Sequence, residues 1–228
     1  HTRLQIHGTA MSLWHARKLS ESAARPDVVI QHSMGIYSAL AVCGVISEGD
    51  ALEMAARVGE CMARVFKAGE YALGCIVGLA QEPAESIASK HGVYVANYNT
   101  SSHFLLAGKR SRILLAMEEC AAAGAFSVSV FDCDAPLHTP LMDETADDMR
   151  KIFSGFCYRE PMVPLLEHIS QTPLSAQDIP GFLLNELQQP VWWERSYRAA
   201  CTMGADRFVE VGEGNSLKKF NRWIDTQS

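Results

Sequence analysis

Residues 27–36 read Asp-Val-Val-Ile-Gln-His-Ser-Met-Gly-Ile, and this stretch decides the fold. The β-branched residues at 28–30 predict a short buried strand, and the apolar run 36–43 predicts a helix packed into the core. A serine at the sharp turn between such a strand and helix is typical of a nucleophile elbow, and here that serine is Ser33. The elbow would hold the hydroxyl at the carboxyl end of a parallel sheet, where free amides and the helix dipole stabilise an oxyanion.

The residues on either side of Ser33 weaken this pattern when it is taken alone. Gly35 fits an elbow because a side chain there is expected to crowd the turn, but Gln31 stands where the usual first glycine would be. A serine two residues before a glycine is also common in ordinary turns. The stretch by itself therefore leaves a catalytic serine and a structural turn both open.

Composition and charge limit the classes of function. The chain has 228 residues, of which 48% are hydrophobic and 20% are charged, as is usual for a soluble globular protein. The net charge of −6 and the lack of a Lys/Arg-rich run argue against nucleic-acid binding. No apolar run reaches the ~20 residues that span a bilayer, so no membrane association is expected. The seven cysteines are scattered without a C-x-x-C pair, so we expect reduced thiols and a cytoplasmic location.

The order of the predicted elements indicates an α/β fold with an insert. Residues 70–132 follow the order strand, helix, strand, strand, helix, strand, which is typical of a ferredoxin-like subdomain. Residues 1–69 and 133–228 are predicted to form the main domain, an α/β-hydrolase-like parallel sheet flanked by helices. A cleft between the two parts is the expected place for a substrate.

Local patterns predict further elements of the main domain. Residues 164–169 and 207–211 are expected to be strands of its sheet. Ser47-Glu48-Gly49-Asp50 has the form of a capping box that opens a helix running to about residue 66.

A serine nucleophile needs a base within hydrogen-bond reach, and two histidines are candidates. His32 adjoins Ser33 in sequence, but neighbouring residues at an elbow point in different directions. His138 lies between Pro136 and Pro140, where the insert returns to the main domain, and a rigid loop there suits a catalytic imidazole. Spacing alone leaves a half-exposed structural histidine open as the alternative.

Five blocks of the sequence, in order along nearly the whole chain, match the motifs of one known family. The family's Gly-His-Ser-Leu-Gly-Glu-Tyr-Ser-Ala-Leu appears as Gln-His-Ser-Met-Gly-Ile-Tyr-Ser-Ala-Leu at 31–40, and its Asn-Tyr-Asn-Ser as Asn-Tyr-Asn-Thr at 97–100. Its Ser-Ala-Pro-Phe-His-Ser-Pro-Leu-Met appears as Asp-Ala-Pro-Leu-His-Thr-Pro-Leu-Met at 134–142. Its Pro-Val-Arg-Trp and Glu-Val-Gly-Pro-Gly appear as Pro-Val-Trp-Trp at 190–193 and Glu-Val-Gly-Glu-Gly at 210–214. The chain thus resembles the malonyl-CoA:acyl carrier protein transacylases, the acyltransferase family of fatty-acid and polyketide synthesis.

The resemblance implies a ping-pong transfer of an acyl group from an acyl-CoA to the phosphopantetheine thiol of an acyl carrier protein. Ser33 would be the nucleophile that carries the acyl group, and His138 would be its general base. The amide of Met34 would be an oxyanion donor. In this family backbone carbonyls orient the imidazole, and one of them is expected near Glu186-Leu187.

The resemblance also implies substrate contacts from His32, Arg57 and Asn99, with malonyl as the default acyl group. Val58 stands where the family has the arginine that pairs with the malonyl carboxylate. Arg57 is one residue away, which is about 100° round a helix. Three interpretations stay open: a pocket for an uncharged acyl group, an Arg57 that reaches in, or an alignment shifted by one residue.

Other departures from the family leave the activity open. The family's amino-terminal strand and its Gly-Gln-Gly-Ser-Gln loop, which supplies the second oxyanion donor, do not occur in this sequence, so the chain is expected to be a fragment or a truncated form. Gln31 and Ile36 replace the family's Gly and Glu, which indicates a divergent member. No metal and no tightly held cofactor are expected, because the CoA thioester is a substrate. Two other functions stay open: a hydrolase of acyl-CoA or acyl carrier protein with the same Ser-His pair, and a non-catalytic relative that binds a carrier protein.

Overall fold

The structure, a computed structural model, describes residues 2–22 and 25–227. Residues 1, 23, 24 and 228, which belong to the predicted main domain, lie outside this description. The described residues form a mixed α/β fold in which helices flank the sheets. Within these two ranges, no helix combines the length and the apolar character needed to cross a lipid bilayer.

The first part of the chain surrounds the elbow with helices. Its elements are α1 (Thr2–Ser22), β1 (Val29–Ile30), α2 (Gly35–Val42) and α3 (Glu48–Val65). The predicted capping box at the start of α3 is confirmed, because Ser47 Oγ accepts from the Asp50 N–H while the Asp50 carboxylate accepts from the Ser47 N–H. Residues 36–40 of α2 are all buried, so the helix that follows the elbow is anchored in the core.

The middle of the chain forms an antiparallel sheet with two helices. Its elements are β2 (Tyr71–Val77), α4 (Gln81–His91), β3 (Tyr94–Thr100), β4 (His103–Lys109), α5 (Arg110–Ala122) and β5 (Ser127–Cys133). The predicted order of strands and helices is confirmed, and the strands lie side by side as β5-β2-β4-β3, with each pair antiparallel. The two helices pack together against this sheet around a second apolar core, which includes Ile87, Phe104, Ile113 and Met117.

The last part of the chain returns to the elbow. After a 3₁₀ turn at Pro140–Thr145 come α6 (Ala146–Phe153), β6 (Leu165–Leu166), α7 (Ile179–Glu186), β7 (Val191–Trp192), α8 (Trp193–Thr202) and α9 (Ser216–Thr226). β6 pairs in parallel with β1. β7 pairs in parallel with β3 and extends the antiparallel sheet to the order β5-β2-β4-β3-β7. The two predicted parts of the chain therefore share one sheet.

Two of the predicted strands of the main sheet need correction. Residues 207–211 are not a strand and pair with no other strand in the part of the chain that the structure describes. Of the predicted strand 164–169, only Leu165–Leu166 makes a ladder. A β-prone sequence becomes a strand only where a neighbouring strand is in register to receive its hydrogen bonds. The parallel sheet beneath the elbow is therefore short, and the main core is completed by side chains from the surrounding helices, such as Leu13, Leu40, Met54, Met149 and Leu183.

Candidate active site

Ser33 lies at the turn between β1 and α2. Its φ of 53° falls in the left-handed region that residues other than glycine rarely adopt, which is the strain typical of a nucleophile elbow. The turn is closed by hydrogen bonds from the Gly35 N–H to the His32 carbonyl (3.0 Å) and from the Ile36 N–H to the Ser33 carbonyl (3.0 Å). The serine therefore stands just before a helix, at the end of the helix dipole that favours negative charge.

Gly35 is not required by crowding, contrary to the expectation from the sequence. A Cβ at this position would have Gln31 Cβ as its nearest neighbour, at 3.9 Å, which is an ordinary van der Waals contact. Gly35 also does not belong to the glycines with positive φ. The backbone strain of the elbow lies at Ser33 itself.

His138 faces Ser33 from the loop that follows β5. Its Nε2 lies 2.7 Å from Ser33 Oγ, so the predicted proximity of these two side chains is confirmed. Its Nδ1 lies 2.7 Å from the Glu186 carbonyl oxygen, and its backbone N–H donates to the Leu187 carbonyl at 2.8 Å, as the resemblance implied. Because a carbonyl only accepts, Nδ1 carries the ring proton and Nε2 is free to accept a proton from Ser33.

The ends of two helices set the electrostatics of this pair. Ser33 stands at the N-terminal end of α2, which favours negative charge, and carbonyls at the C-terminal end of α7 hold His138 and favour positive charge. His138 is 4% exposed, so it is not the half-exposed loop histidine of the alternative interpretation. Burial lowers the pKa of His138 to about 4, which leaves the imidazole neutral and able to accept a proton at neutral pH.

A second set of polar side chains links the elbow to the antiparallel sheet. His32 Nε2 lies 2.9 Å from Asn99 Oδ1, and Asn99 Nδ2 lies 3.0 Å from His103 Nδ1. The amide oxygen accepts and the amide nitrogen donates, so His32 carries its proton on Nε2. Burial lowers the pKa of both His32 and His103. The structure thus brings the predicted binding residues His32 and Asn99 together, and their contact with a substrate stays a prediction.

No sequence motif pointed to His103. It is the first residue of β4, and the only signal for it was its position just after the polar stretch Asn99-Thr100-Ser101-Ser102. Its ring lies 4.7 Å from that of Phe220, so it connects the polar set at the elbow to α9.

Behind His138 lies a further buried cluster that no sequence motif predicted. The ring of His168 is 5.8 Å from that of His138, and Gln31 Nε2 lies 2.8 Å from His168 Nδ1. The third member is the carboxyl group of Glu186, a residue for which the resemblance implied only a backbone role. One nitrogen of His138, one nitrogen of His168 and one carboxyl oxygen of Glu186 lie within 4.8 Å of one another. Both nitrogens of His138 already hold hydrogen bonds, so we assign no metal ion to this cluster.

Comparison with known proteins gives the family. Residues 3–215 match the family described as acyl transferase domain. The chain belongs to this family. It is 29% identical over 219 residues to the malonyl CoA-acyl carrier protein transacylase of Bacillus subtilis, which covers 92% of this chain and 69% of that protein. It is 28% identical over 207 residues to the same enzyme of Escherichia coli strain K12, which covers 88% of this chain and 67% of that protein.

Solved structures of acyl transferases share the fold. The malonyl CoA-acyl carrier protein transacylase of Coxiella burnetii has a TM-score of 0.94 at 26% sequence identity, covering 100% of this chain and 74% of that chain. A malonyl-transacylase solved in complex with its type II PKS acyl-carrier protein has a TM-score of 0.94 at 25% identity, covering 99% of this chain and 75% of that chain. The chain therefore has the acyl transferase fold throughout its described length.

In this acyl transferase, the contacts of the Arg57 guanidinium are with Glu53 and Phe156. The guanidinium lies 3.6 Å from the Glu53 carboxylate and 5.5 Å from the centre of the Phe156 ring. Val58, its neighbour, is fully buried in the main apolar core. The described contacts therefore do not support the interpretation in which Arg57 reaches into the site.

Proposed function

We propose that this chain is an acyltransferase that moves an acyl group from CoA to the phosphopantetheine thiol of an acyl carrier protein through an acyl-serine intermediate. The observation that carries the proposal is the 2.7 Å contact between Ser33 Oγ and His138 Nε2 at a strained turn, in a member of the acyl transferase family. Relatives named malonyl CoA-acyl carrier protein transacylases, and the complex with a carrier protein, support acyl-CoA and acyl carrier protein as partners.

The first half of the reaction acylates Ser33. His138 Nε2 takes the hydroxyl proton as Ser33 Oγ attacks the thioester carbonyl, and the C–S bond then breaks. The proton on Nε2 passes to the departing CoA thiolate. The imidazolium that forms in between is stabilised by the Glu186 carbonyl, which accepts from Nδ1, and by the C-terminal end of α7.

The second half returns the serine to its starting state. The carrier-protein thiol gives its proton to His138 Nε2, its sulfur attacks the ester carbonyl, and Ser33 Oγ recovers the proton as the ester bond breaks. In both halves negative charge develops on the carbonyl oxygen. We propose the Met34 N–H as one donor to that oxygen, because Met34 precedes the first residue of α2 and its amide belongs to the end of the helix dipole that favours anions.

We propose that residues 70–132 form a ferredoxin-like subdomain inserted into a main domain of residues 1–69 and 133–228. The strand order β5-β2-β4-β3 and the two helices packed against the sheet support this division. The His32–Asn99 hydrogen bond joins the two parts beside the elbow, which supports a substrate site at their junction.

We expect a cytoplasmic location and no resident cofactor. The cysteines are free thiols, as suits a reducing compartment. The transfer described above moves only an acyl group and protons, which Ser33 and His138 can carry between them.

Malonyl is the default acyl group by the names of the relatives, and one observation favours a second candidate. Among the described residues, no lysine or arginine is buried. Arg57 forms an ion pair with Glu53, and its neighbour Val58 is apolar. A carboxylate without a cationic partner in a closed pocket is strongly disfavoured. An uncharged acyl group, such as acetyl, is therefore the second candidate donor.

The test is intact-protein mass spectrometry after incubation with malonyl-CoA or acetyl-CoA, followed by addition of holo acyl carrier protein. We expect one acyl group on the wild-type chain and none on Ser33→Ala, and we expect the group to move to the carrier protein. Ser38→Ala is the matched control, because Ser38 is a buried serine in α2, the helix that follows Ser33, and its hydroxyl donates to the Gly35 carbonyl.

Each other outcome has a defined meaning. Acylation of Ser33→Ala at the wild-type level would show that Ser33 is not the nucleophile. Loss of the acyl group to water without carrier protein would identify a hydrolase. A folded chain that takes no acyl group from either donor would be a non-catalytic relative. The faster of the two donors identifies the acyl group.

A further inference from the structure

Glu186 meets His138 twice, once through its backbone and once through its side chain. Its carbonyl accepts from His138 Nδ1 at 2.7 Å, and its carboxyl oxygen Oε2 lies 3.7 Å from the same nitrogen. Glu186 is 2% exposed, and Oε2 has no hydrogen-bond partner within the residues that the structure describes. Burying a carboxyl group without a partner is unfavourable, so its position against a catalytic imidazole calls for a functional explanation.

Among the residues that the structure describes, titratable groups surround this carboxyl group, but no lysine or arginine acts on its pKa. Three titratable groups interact electrostatically with this pair: His32 and His168 with His138, and Tyr37 with Glu186. Glu167, next to His168, is engaged by the N–H groups of Ile169 and Ser170. Burial raises the pKa of Glu186 to about 8 and lowers that of His168 well below its ordinary value. Glu186 is therefore a neutral acid at neutral pH and becomes a carboxylate in mildly alkaline solution.

His168 has a ring N–H without a hydrogen-bond partner among the described residues, and it lies in the same buried cluster as Glu186. Gln31 Nε2 donates to His168 Nδ1, so His168 carries its proton on Nε2, and that atom also lacks a partner among the described residues. A ring nitrogen of His168 lies within 4.8 Å of a Glu186 carboxyl oxygen. A small rotation or one buried water can join two atoms at such a distance.

We propose that the Glu186 side chain is a positioning residue for His138, and that its carboxylate form stabilises the imidazolium that develops while Ser33 is acylated. This inference rests on the proposed acyl transfer. It gives the Ser33–His138 pair a third polar member, whose contribution depends on pH. Glu186 itself exchanges no proton with the substrate, because the proton moves only between Ser33 Oγ, His138 Nε2 and the thiol.

The size of the effect follows from the distance. A charge of opposite sign within ~4–6 Å changes the pKa of a partner by about one to three units, and one unit corresponds to a tenfold change in equilibrium. With Oε2 at 3.7 Å from Nδ1, we expect acylation of the wild-type chain to become about tenfold faster as Glu186 ionises. Glu186→Gln keeps the backbone carbonyl and the shape of the side chain, so it should lose only this increase.

The experiment compares the wild-type chain, Glu186→Gln and the control Glu82→Gln between about pH 6 and about pH 9.5. Glu82 is exposed in the first turn of α4, far from the cluster in sequence. One measurement is the single-turnover rate of acyl-serine formation. The other is the ¹H–¹⁵N spectrum of the histidine imidazoles, which follows His138 Nδ1–H without any substrate. In the wild type and Glu82→Gln, we expect the acylation rate and the His138 signal to change with an apparent pKa of about 8. In Glu186→Gln, we expect neither the rate nor the signal to show this transition.

The two measurements separate the failure of this inference from the failure of the proposed function. Equal pH profiles and spectra in the wild type and Glu186→Gln would overturn the role of Glu186, and so would a loss of rate by the same factor at every pH. Absence of acyl-serine in all three proteins would contradict the proposed function, while the spectra would still test the coupling of Glu186 to His138. If Glu186→Gln does not fold, Glu186→Met, which is similar in length and unbranched, takes its place.

Discussion

Replacing Glu186 by glutamine is expected to remove a pH dependence from the free energy of unfolding. Burial raises the pKa of Glu186 from 4.5 to about 8, whereas in the unfolded chain the carboxyl titrates near its ordinary value. Between these two pKa values the folded chain holds one proton more than the unfolded chain. The stabilisation by that proton is present at low pH and is lost as the pH rises through the pKa of the folded state. The slope is about 1.4 kcal/mol per pH unit, or about 4 kcal/mol between about pH 5 and about pH 8.5.

Urea unfolding of the wild-type chain, Glu186→Gln and Glu82→Gln at several pH values measures this slope. The amide N–H groups of the introduced glutamine would be buried without partners, which should lower the free energy of unfolding by about 1–3 kcal/mol at every pH. The prediction therefore concerns how the free energy of unfolding changes with pH, and not its value at any one pH. Burial lowers the pKa of His138 to about 4, so His138 adds stability in all three proteins as the pH rises from about 4 towards 6.5. This contribution is the same in each protein and cancels when a variant is compared with the wild type. Relative to the wild type, Glu186→Gln should gain about 4 kcal/mol over the range, and Glu82→Gln should gain nothing. A difference that is constant with pH would refute a buried, neutral Glu186.

Other predictions concern single positions of the site. Ser33→Ala should keep its melting temperature but lower the rate of acyl-carrier-protein formation by about 10³-fold or more, and a smaller loss would mean that another group carries the acyl chain. Gly35→Ala should change the urea-unfolding free energy by less than about 1 kcal/mol, because the nearest atom to the new Cβ is 3.9 Å away. A larger loss would show that a side chain at this position does crowd the turn. Arg57→Gln should leave the ratio of kcat/KM for malonyl-CoA and acetyl-CoA unchanged within about twofold, whereas a selective loss for malonyl-CoA would place Arg57 at the carboxylate. Asn99→Leu should destabilise the fold by about 1–3 kcal/mol in urea unfolding, because it removes a buried amide and leaves the His32 Nε2–H without its acceptor, and a variant as stable as the wild type would contradict this bond.

Patterns carried by neighbouring residues predicted much of the chain. The β-branched residues before Ser33 and the apolar run after it predicted the elbow, and the Ser47–Asp50 capping box predicted the start of α3. The order of strands and helices between residues 71 and 133 followed from alternation and helical periodicity in the same way. Such features depend on residues a few positions apart, so a single sequence contains the whole signal.

Features that depend on distant segments were not predictable in this way. Residues 207–211 have the composition of a strand but no partner strand in the described chain, and β7 joins the antiparallel sheet because its edge strand β3 is free to pair with it. His168 and the Glu186 side chain belong to no motif, and their importance arises only because the fold buries them against His138. Their altered pKa values are a consequence of that burial and not of their neighbours in sequence.

The sequence alone determined that Ser33 follows a strand and opens a helix, and its motifs singled out His138 as the partner. Only the tertiary structure decided that the two side chains meet at 2.7 Å, with the end of α7 holding the imidazole and the Glu186 carboxyl beside it. The physical reason is that a helix or turn is selected by local backbone preferences, whereas a hydrogen bond across 105 residues exists only after the core has closed and excluded water from it.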